Sequence, residues 1–461
     1  MSASSPGGAP QASVATPPGS LPAAFEGLPR IDLRPGPDGA PPTGRLAWRE
    51  RCARAAGLAG EADEAARAII ADVRARGDAA VVELTRRFEG RTLDPDHLEL
   101  EPQRRAEACA RVPHDIRAAL ELAARRIREF HQTQRHPTTG LERDGERLHS
   151  RVAPLRRVAV YAPGGTAAYP SSVLMAGIPA KVAGVDEVLL LTPRANDVVL
   201  LAAELAGIDR VFEIGGAQAI AAAALGTERV PRVDKIVGPG NAYVTAAKRQ
   251  VYGLCDIDGI AGPSEILVVA DATADAEFVA ADLISQAEHD RLACAVLVTD
   301  HPPLIDATDA ALRRQLVDLP RRELATLALV EHGAAVLVED RDALARTADE
   351  YAPEHLELLV DRPEAMASDL RGAGAIFVGP WTPEAAGDYT AGPSHVLPTA
   401  GAARFGSPLG VWDFVKHTSV LALGHRALVE QAKAIVTLAR AEGLEGHARA
   451  VERRLAEGRG R

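Results

Sequence analysis

Short β-branched segments alternate with alanine-rich helical stretches through most of this chain, and this alternation limits its fold more than any other feature. The first group of strand-like segments reads RVAVYAP, DEVLLLTP, DRVFEIGG and DKIVGPG, and a later group reads EILVVAD, ACAVLVTD, AAVLVED, HLELLV and AIFVGP. A strand followed by a helix, repeated along a chain, is typical of a parallel sheet covered by helices. The sequence therefore predicts an α/β protein with two such units.

Helical patterns flank these units on both sides. One covers residues 61–88 with a break at Gly77, and a second covers residues 114–134. Glycine at such a break is typical of a helix end. Beyond about Gly410 the pattern predicts helices to the end of the chain, with one run over residues 425–443 and another from Leu444.

The composition argues for a cytoplasmic protein and against two classes of partner. A formal charge of −11 disfavours an extended surface for nucleic acid or anionic lipid, and no apolar run approaches the roughly 18 residues of a membrane span. The four cysteines are scattered without a CxxC pair, as is typical of reduced thiols in a cytosolic protein. Residues 1–28 are rich in Pro, Gly, Ser and Ala, with no basic residue before Arg30, which predicts a flexible tail rather than a targeting peptide.

Glycine-rich turns close several of the predicted strands. They read YAPGG at 161–165, EIGGAQ at 213–218 and VGPGN at 237–241. Backbone N–H groups and the helix dipole favour phosphate where a parallel strand ends and a helix begins. The dinucleotide fingerprint GxGxxG is absent, and such turns also occur in α/β proteins that bind no nucleotide. They are compatible with a nucleotide site but do not require one.

Two short motifs combine residues that could do chemistry. In ADAEFVAADLISQAEHD, Gln286 and His289 are three residues apart, which on a helix places both side chains on one face and allows them to share a metal. An exposed helix end is the alternative. In YAPEHLELLV, Glu354 and His355 stand where the chain enters an apolar strand. They are either an acid and a base at the mouth of an active site or two polar residues that face water at a strand start.

Further polar residues lie in glycine-bracketed loops and near the C-terminus. AAGDYTAGPSHVLP contains Asp388 and His395, and an earlier AGPSE turn contains Ser264. AEGLEGHARA carries Glu442 and His447 on a predicted helix. Imidazole nitrogens and carboxylate oxygens suit zinc. Taken singly, each of these residues is equally compatible with a surface group or a helix cap.

Together these motifs resemble those of histidinol dehydrogenases. The matching segments are YAPGGTAAYPSSVLMAGIPAKVAG, GGAQAIAAAALGTERVPRVDKIVGPGN, AGPSEILVVAD, LISQAEHD, YAPEHLEL, AAGDYTAGPSHVLPT and AEGLEGH, in the family's order and with similar spacing. The resemblance extends from about Arg54 to about Arg454 and leaves out the N-terminal tail. One such motif alone would be weak evidence, whereas the whole set in register is specific.

The resemblance implies a zinc-dependent enzyme that oxidises L-histidinol to L-histidine with two NAD, through an enzyme-held aldehyde, L-histidinal. The implied zinc ligands are Gln286, His289, Asp388 and His447. The implied NAD contacts are Tyr161, Gln218 and Asn241. The implied substrate contacts are Ser264, His395 and Glu442, together with His355 and the zinc ligands Gln286, His289, Asp388 and His447.

The implied catalytic pair is Glu354 and His355. Histidine titrates nearest neutral pH, so His355 suits the acceptance of the hydroxyl proton, and Glu354 suits the activation of water for the second oxidation. The metal mainly orients the amine and imidazole of the substrate in this family.

The resemblance also implies the domain plan and the assembly. We expect two incomplete Rossmann-like α/β domains with parallel sheets, plus smaller N- and C-terminal segments. The expected ranges are 1–28 for the tail, 29–159 for the N-terminal segment and first part of domain 1, 160–263 for the inserted domain 2 on the NAD side, 264–409 for the second part of domain 1 with the zinc and catalytic residues, and 410–461 for a helical C-terminal segment. The family is homodimeric, so the C-terminal segment would bring His447 and Glu442 to the partner's active site.

Two other functions compete with this one. A related zinc and NAD enzyme could oxidise another small alcohol, such as a sulfonated diol, with the same metal ligands. Glu442 and His395 favour an amino alcohol, because a carboxylate attracts an ammonium group and repels a sulfonate. An inactive zinc-binding or nucleotide-sensing protein is disfavoured, because every motif position is filled.

Overall fold

The computed structural model describes residues 25–36, 38, 40–53, 60–135, 137–164 and 169–457. The strands in these ranges are β1 (Arg30–Asp32), β2 (Thr139–Arg143), β3 (Glu146–Pro154), β4 (Arg157–Tyr161), β5 (Glu187–Leu191), β6 (Arg210–Phe212), β7 (Lys235–Val237), β8 (Asp256–Ile257), β9 (Glu265–Ala270), β10 (Cys294–Thr299), β11 (Ala334–Leu337), β12 (His355–Leu359), β13 (Ala375–Val378) and β14 (Val415–Leu423). They form two parallel sheets and one antiparallel sheet.

The helices cover both parallel sheets. They are α1 (Arg45–Cys52), α2 (Gly60–Arg76), α3 (Asp78–Glu89), α4 (Pro102–Arg111), α5 (His114–Gln132), α6 (Pro170–Ala183), α7 (Asp197–Ala206), α8 (Gly216–Leu225), α9 (Ala242–Val251), α10 (Ala276–Ala287), α11 (Pro302–Gln315), α12 (Arg322–Glu331), α13 (Arg341–Tyr351), α14 (Pro363–Asp369), α15 (Glu384–Tyr389), α16 (His425–Ala441) and α17 (Glu445–Glu457). The predicted α/β class is confirmed.

The larger sheet has the strand order β1-β11-β10-β9-β12-β13, and all neighbouring strands are parallel. Helices α10, α11 and α12 pack on one face, and α1, α13 and α14 pack on the other. Every residue of β9 and β12 is buried. Strands covered on both faces are apolar almost throughout, which is why the segments EILVVAD and HLELLV predicted them correctly.

The smaller sheet has the order β6-β5-β4-β7-β8 and is also parallel. Helices α4–α7 pack on one face, and α2, α3, α8 and α9 pack on the other. Helices α2–α5, which precede β4, therefore belong to the layers of this sheet, and the expected boundary between residues 159 and 160 falls inside β4. The division into domains stays a prediction.

The predicted helices before β4 are confirmed. The 61–88 pattern is α2 and α3, and the break lies at Gly77, whose φ of 55° favours glycine. The 114–134 pattern is α5. Of the predicted flexible tail, 1–28, residues 1–24 lie outside the described residues. The prediction is wrong for residues 25–28, because Phe25 and Leu28 are buried in the core of the larger sheet.

The third sheet corrects the prediction of helices throughout residues 410–461. In this antiparallel sheet, β14 pairs with β3 along its whole length, and β3 pairs with β2. Most residues of β14 are exposed or half-buried, so no clear alternation of apolar and polar residues marks it as a strand. The helices α16 and α17 follow it. Within the described residues, no helix combines the length and apolar character that a membrane span requires.

Candidate active site

Glu354 and His355 lie at the start of β12, directly after a turn. Helix α13 ends at Tyr351 and is capped by Ala352, which has a left-handed φ of 50°. Pro353 then leads the chain into the sheet. The side chains of Glu354 and His355 are only 9% and 6% exposed. The alternative of a strand start that faces water is therefore wrong, and the pair is built into the protein interior.

The imidazole of His355 is held as a neutral base. Its Nδ1 lies 2.9 Å from the backbone carbonyl oxygen of Glu265 on the neighbouring strand β9. A carbonyl only accepts hydrogen bonds, so Nδ1 carries the ring proton and Nε2 is left as an acceptor. Burial lowers the pKa of His355 to about 4, because the charged imidazolium loses its hydration. The ring is therefore ready to accept a proton at neutral pH.

The carboxyl group of Glu354 is anchored beside this ring. Its Oε2 accepts a hydrogen bond of 2.9 Å from the backbone N–H of Glu265 and lies 3.8 Å from Nδ1 of His355. Burial raises the pKa of Glu354 well above its usual value. A raised pKa makes a carboxylate a stronger base, which is the environment that enzymes use for carboxyl groups in acid–base catalysis.

Three of the predicted zinc ligands come together on two helices. Gln286 lies in the last turn of α10, His289 follows the end of that helix, and Asp388 lies on α15. Gln286 Nε2 is 3.5 Å from His289 Nδ1, and His289 Nε2 is 3.8 Å from Asp388 Oδ2. The buried Oε1 of Gln286 has no hydrogen-bond partner among the described residues. A buried oxygen without a donor fits a cation, so these residues suit a zinc ion.

His395 joins this cluster to the smaller sheet. Its Nδ1 lies 3.5 Å from Asp388 Oδ1 and 3.1 Å from the backbone oxygen of Asp388. Its Nε2 lies 3.2 Å from the hydroxyl of Ser172 on α6, which covers the smaller sheet. Burial alone would raise the pKa of Asp388, but the hydrogen bond and charge of His395 and the charges of nearby histidines lower it. The two α/β units therefore meet at this site.

Glu384 is a member of the site that the sequence analysis missed. Its Oε1 lies 3.8 Å from His355 Nε2, and Ser285 donates a 3.0 Å hydrogen bond to its Oε2. Ligand atoms of Glu384, His355 and Asp388 all lie within 4.8 Å of one another. Burial, followed by the charge of Asp388, raises the pKa of Glu384 to about 8. Its spacing of four residues from Asp388 on α15 was a usable signal, because such residues share a helix face.

A second pair of buried acids lies behind the site. Glu357, two residues after His355 on β12, is hydrogen-bonded to Asp282 on α10. Both side chains are buried. Burial, with the nearby charge of Asp282, raises the pKa of Glu357 to about 10, and burial also raises the pKa of Asp282. This pair therefore retains a proton at neutral pH.

Three predicted substrate or metal residues have no side-chain contact to this cluster in the described part of one chain. Ser264 directly precedes Glu265, so it lies at the edge of the site through its place in the sequence. Glu442 and His447 are exposed on the C-terminal segment. The two helical runs predicted here, 425–443 and from Leu444 onward, are confirmed: Glu442 caps the end of α16, and His447 lies on α17 after a turn at Gly443.

The three residues predicted to contact NAD lie at the carboxyl ends of the smaller sheet's strands. Tyr161 ends β4, and its hydroxyl accepts a 3.1 Å hydrogen bond from the backbone N–H of Gly216. Gln218 is buried on α8, which follows β6. Asn241 follows β7 and caps α9, with its side-chain oxygen 3.1 Å from the backbone nitrogen of Val244. Ligands of open α/β sheets bind at this edge, so the position fits a dinucleotide.

Comparisons with known proteins agree with this geometry. A sequence model of the histidinol dehydrogenase family matches residues 53–455. The chain is 51% identical over 393 residues to histidinol dehydrogenase from Parasynechococcus marenigrum, covering 84% of this chain and 90% of that protein. It is also 51% identical over 393 residues to the enzyme from Dechloromonas aromatica, covering 84% and 91%.

A solved structure shows the same fold along nearly the whole chain. The crystal structure of histidinol dehydrogenase from Elizabethkingia anophelis superposes with a TM-score of 0.87 at 32% identity, covering 94% of this chain and 99% of that one. The sequence match and the fold agree over the same residues that build the buried site, and the chain therefore belongs to the histidinol dehydrogenase family.

Proposed function

We propose that this protein oxidises L-histidinol to L-histidine through L-histidinal, with two NAD per turnover, in the last steps of histidine biosynthesis. The observation that carries the proposal is the buried pair of His355 and Glu354 beside a cluster of metal-binding side chains. Family membership supplies the substrate. We assign the reaction to the cytoplasm, since scattered cysteines, among them the buried thiols Cys109 and Cys255, suit a reducing compartment.

His355 and Glu354 divide the proton transfers. In the first oxidation, Nε2 of His355 accepts the hydroxyl proton as hydride leaves the carbon for the nicotinamide of NAD. In the second, Glu354 removes a proton from the water that adds to the aldehyde carbon. The hydrated aldehyde, which has given one proton to Glu354, then loses hydride to a second NAD and becomes the carboxylic acid. This acid releases its remaining proton to solvent and leaves as the carboxylate. The low pKa of His355 suits a proton acceptor that releases its proton quickly. The raised pKa of Glu354 suits a carboxylate that is basic enough to remove a proton from water.

Gln286, His289 and Asp388 would hold a zinc ion, with His447 as the fourth ligand. Bound zinc would orient the substrate through its amine and imidazole nitrogens. The unpaired Oε1 of Gln286 supports this assignment. An amide oxygen and neutral imidazoles also leave less negative charge at the site than a cage of carboxylates, which favours neutral nitrogen donors from the substrate.

Histidinol with excess NAD should yield about two NADH per histidinol, with little free aldehyde, because both oxidations occur at one site. Alcohols that lack the amine or the imidazole should react far more slowly, since each loss leaves a polar position of the site unfilled. The assay measures NADH absorbance and histidine release for histidinol, for these truncated alcohols and for a sulfonated diol. Equal or better turnover of the sulfonated diol would favour the alternative substrate.

The position of His447 supports a homodimer with shared active sites. His447 and Glu442 are exposed, and no hydrogen bond or ion pair among the described residues joins their side chains to the site in the same chain. Their segment joins the rest of the molecule through β14 and exposes large apolar side chains, including Leu421 at 70%, Leu438 at 63% and Leu444 at 42%. Such a surface fits a second copy of the chain.

Mixing two inactive variants tests this arrangement. After subunit exchange, His447→Ala and His355→Ala should recover roughly a quarter of the wild-type activity, because half of the dimers are mixed and each mixed dimer has one intact site. Turnover is measured before and after exchange, and the exchange is verified with differently tagged chains. Recovery would be absent, despite verified exchange, if His447 served its own chain.

A further inference from the structure

We propose that the buried ion pair between Lys248 and Asp258 positions the glycine turn 238–241 for NAD and thereby sets the affinity for the cofactor. Lys248 lies on α9, and Asp258 directly follows β8. The proposal rests on the function proposed above and on Tyr161 and Asn241 as predicted contacts of NAD.

The ion pair holds both backbone polar groups of Gly238. Lys248 Nζ donates a 2.9 Å hydrogen bond to the carbonyl oxygen of Gly238 and a second hydrogen bond to Asp258 Oδ1. Asp258 Oδ2 accepts a 2.6 Å hydrogen bond from the backbone N–H of Gly238. Oδ1 of Asp258 also accepts a hydrogen bond of 2.8 Å from the backbone N–H of Gly259. The two peptide units on either side of the Gly238 Cα are therefore both fixed by the ion pair.

Gly238 lies between two of the three predicted NAD contacts, Tyr161 and Asn241. Its φ of 114° lies in a region that favours glycine, and a Cβ at this position would lie 2.1 Å from the backbone oxygen of Tyr161. The turn therefore lies directly against the end of β4. Three residues later, Asn241 caps α9, the same helix that carries Lys248. A change in the peptide at Gly238 would move the turn relative to Tyr161 and Asn241 together.

Stability alone does not explain this pair. The side chains of Lys248 and Asp258 are 4% and 7% exposed, so both charges have lost their hydration. Replacing a buried ion pair by apolar residues of similar volume is often neutral or stabilising. The distinctive property of the pair is that it forms hydrogen bonds to both the N–H and the C=O of Gly238. Apolar side chains could not form these bonds.

The smaller sheet provides a matched control. Lys235, at the start of β7, is buried like Lys248, and its Nζ lies 3.0 Å from Asp256 and 3.2 Å from Asp413. Among the described residues, no hydrogen bond joins Lys235 to Gly238 or to the three residues predicted to bind NAD. Lys235→Met therefore reports the general cost of breaking a buried ion pair in this sheet.

The test compares Lys248→Met, Asp258→Asn, the double variant Lys248→Met/Asp258→Leu and Lys235→Met. We expect the KM for NAD to rise by about 10- to 100-fold in the three variants of the pair, because small displacements of a binding group have effects of this size. The KM for histidinol, the zinc content and the affinity of the metal site should stay unchanged. NADH binding, measured by fluorescence titration, should weaken in parallel with the change in KM.

The double variant keeps the proposal testable if the single variants do not fold, because it leaves no unpaired buried charge. The proposal is overturned if this variant is folded and retains the wild-type KM for NAD, or if Lys235→Met raises that KM equally. Wild-type protein that reduced no NAD with histidinol would overturn the proposed function and this inference with it. Normal wild-type turnover with unchanged NAD binding in the variants would overturn the inference alone.

Discussion

Replacing His355 by alanine should lower the rate of NADH formation from histidinol by about 10²–10⁴-fold, the usual contribution of a general base. The variant loses Nε2 of His355, which stays a hydrogen-bond acceptor and lies 3.8 Å from Glu384 Oε1. The other ring nitrogen, Nδ1, faces the backbone carbonyl of Glu265 and cannot take its place. Single-turnover measurements of NADH absorbance check the rate. Zinc content and unfolding temperature serve as controls, and a rate near wild type with both controls intact would remove His355 from the proposed role.

Glu354→Gln separates the two oxidations, because it keeps the size of the side chain and removes its basicity. It should impair the oxidation of supplied histidinal, which needs activated water, more than the reduction of the same aldehyde by NADH, which does not. Equal slowing of both directions with the metal intact would make Glu354 an organiser of the site. Its hydrogen bond from the N–H of Glu265 would then be its main contribution.

Removal of the metal should abolish turnover while leaving the fold largely intact. Purified protein should contain about one zinc per chain, and His289→Ala should lose zinc and activity together, by more than about 100-fold, since even indirect partners of metal ligands contribute 10- to 100-fold. The proposed ligand Gln286 lies on α10, which packs on the larger sheet through apolar side chains such as Val279 and Leu283. Elemental analysis, turnover and circular dichroism are compared before and after chelation.

His97→Ala is a suitable control for this experiment. His97 is exposed and its hydrogen-bond partner is Asp94, away from the site. This variant should keep both zinc and activity. A fully active preparation of the wild type without metal would contradict the zinc assignment.

The sequence predicted the strands that are buried on both faces and missed the strands that are not. Strands such as β9 and β12 are continuous apolar runs, and burial produces that pattern. Strand β14 and the β2–β3 hairpin are largely exposed, so their residues are not constrained by a core. Their pairing depends on contacts between distant segments, which local patterns do not report.

The candidate site also contains residues that the sequence could identify and residues that it could not. Gln286, His289, Asp388 and the pair at the start of β12 belong to motifs that could be recognised in sequence. Glu384 follows a proline at the start of a helix, where glutamate is common for reasons of helix stability alone, so its four-residue spacing from Asp388 was the one local signal of its role. The place of His447 could not be predicted from residues of one chain, because its proposed partners lie in another.

The acids buried behind the site couple the folding equilibrium to proton uptake. Glu357, with a pKa of about 10 beside Asp282, keeps its proton in the folded state, whereas in the unfolded chain it would release that proton above its ordinary value of 4.5. Between these values the unfolded state binds fewer protons, so the free energy of unfolding falls as the pH rises. Glutamine at this position would lack that dependence. The protein therefore retains on β12, two residues from His355, a group that makes it less stable towards alkaline pH.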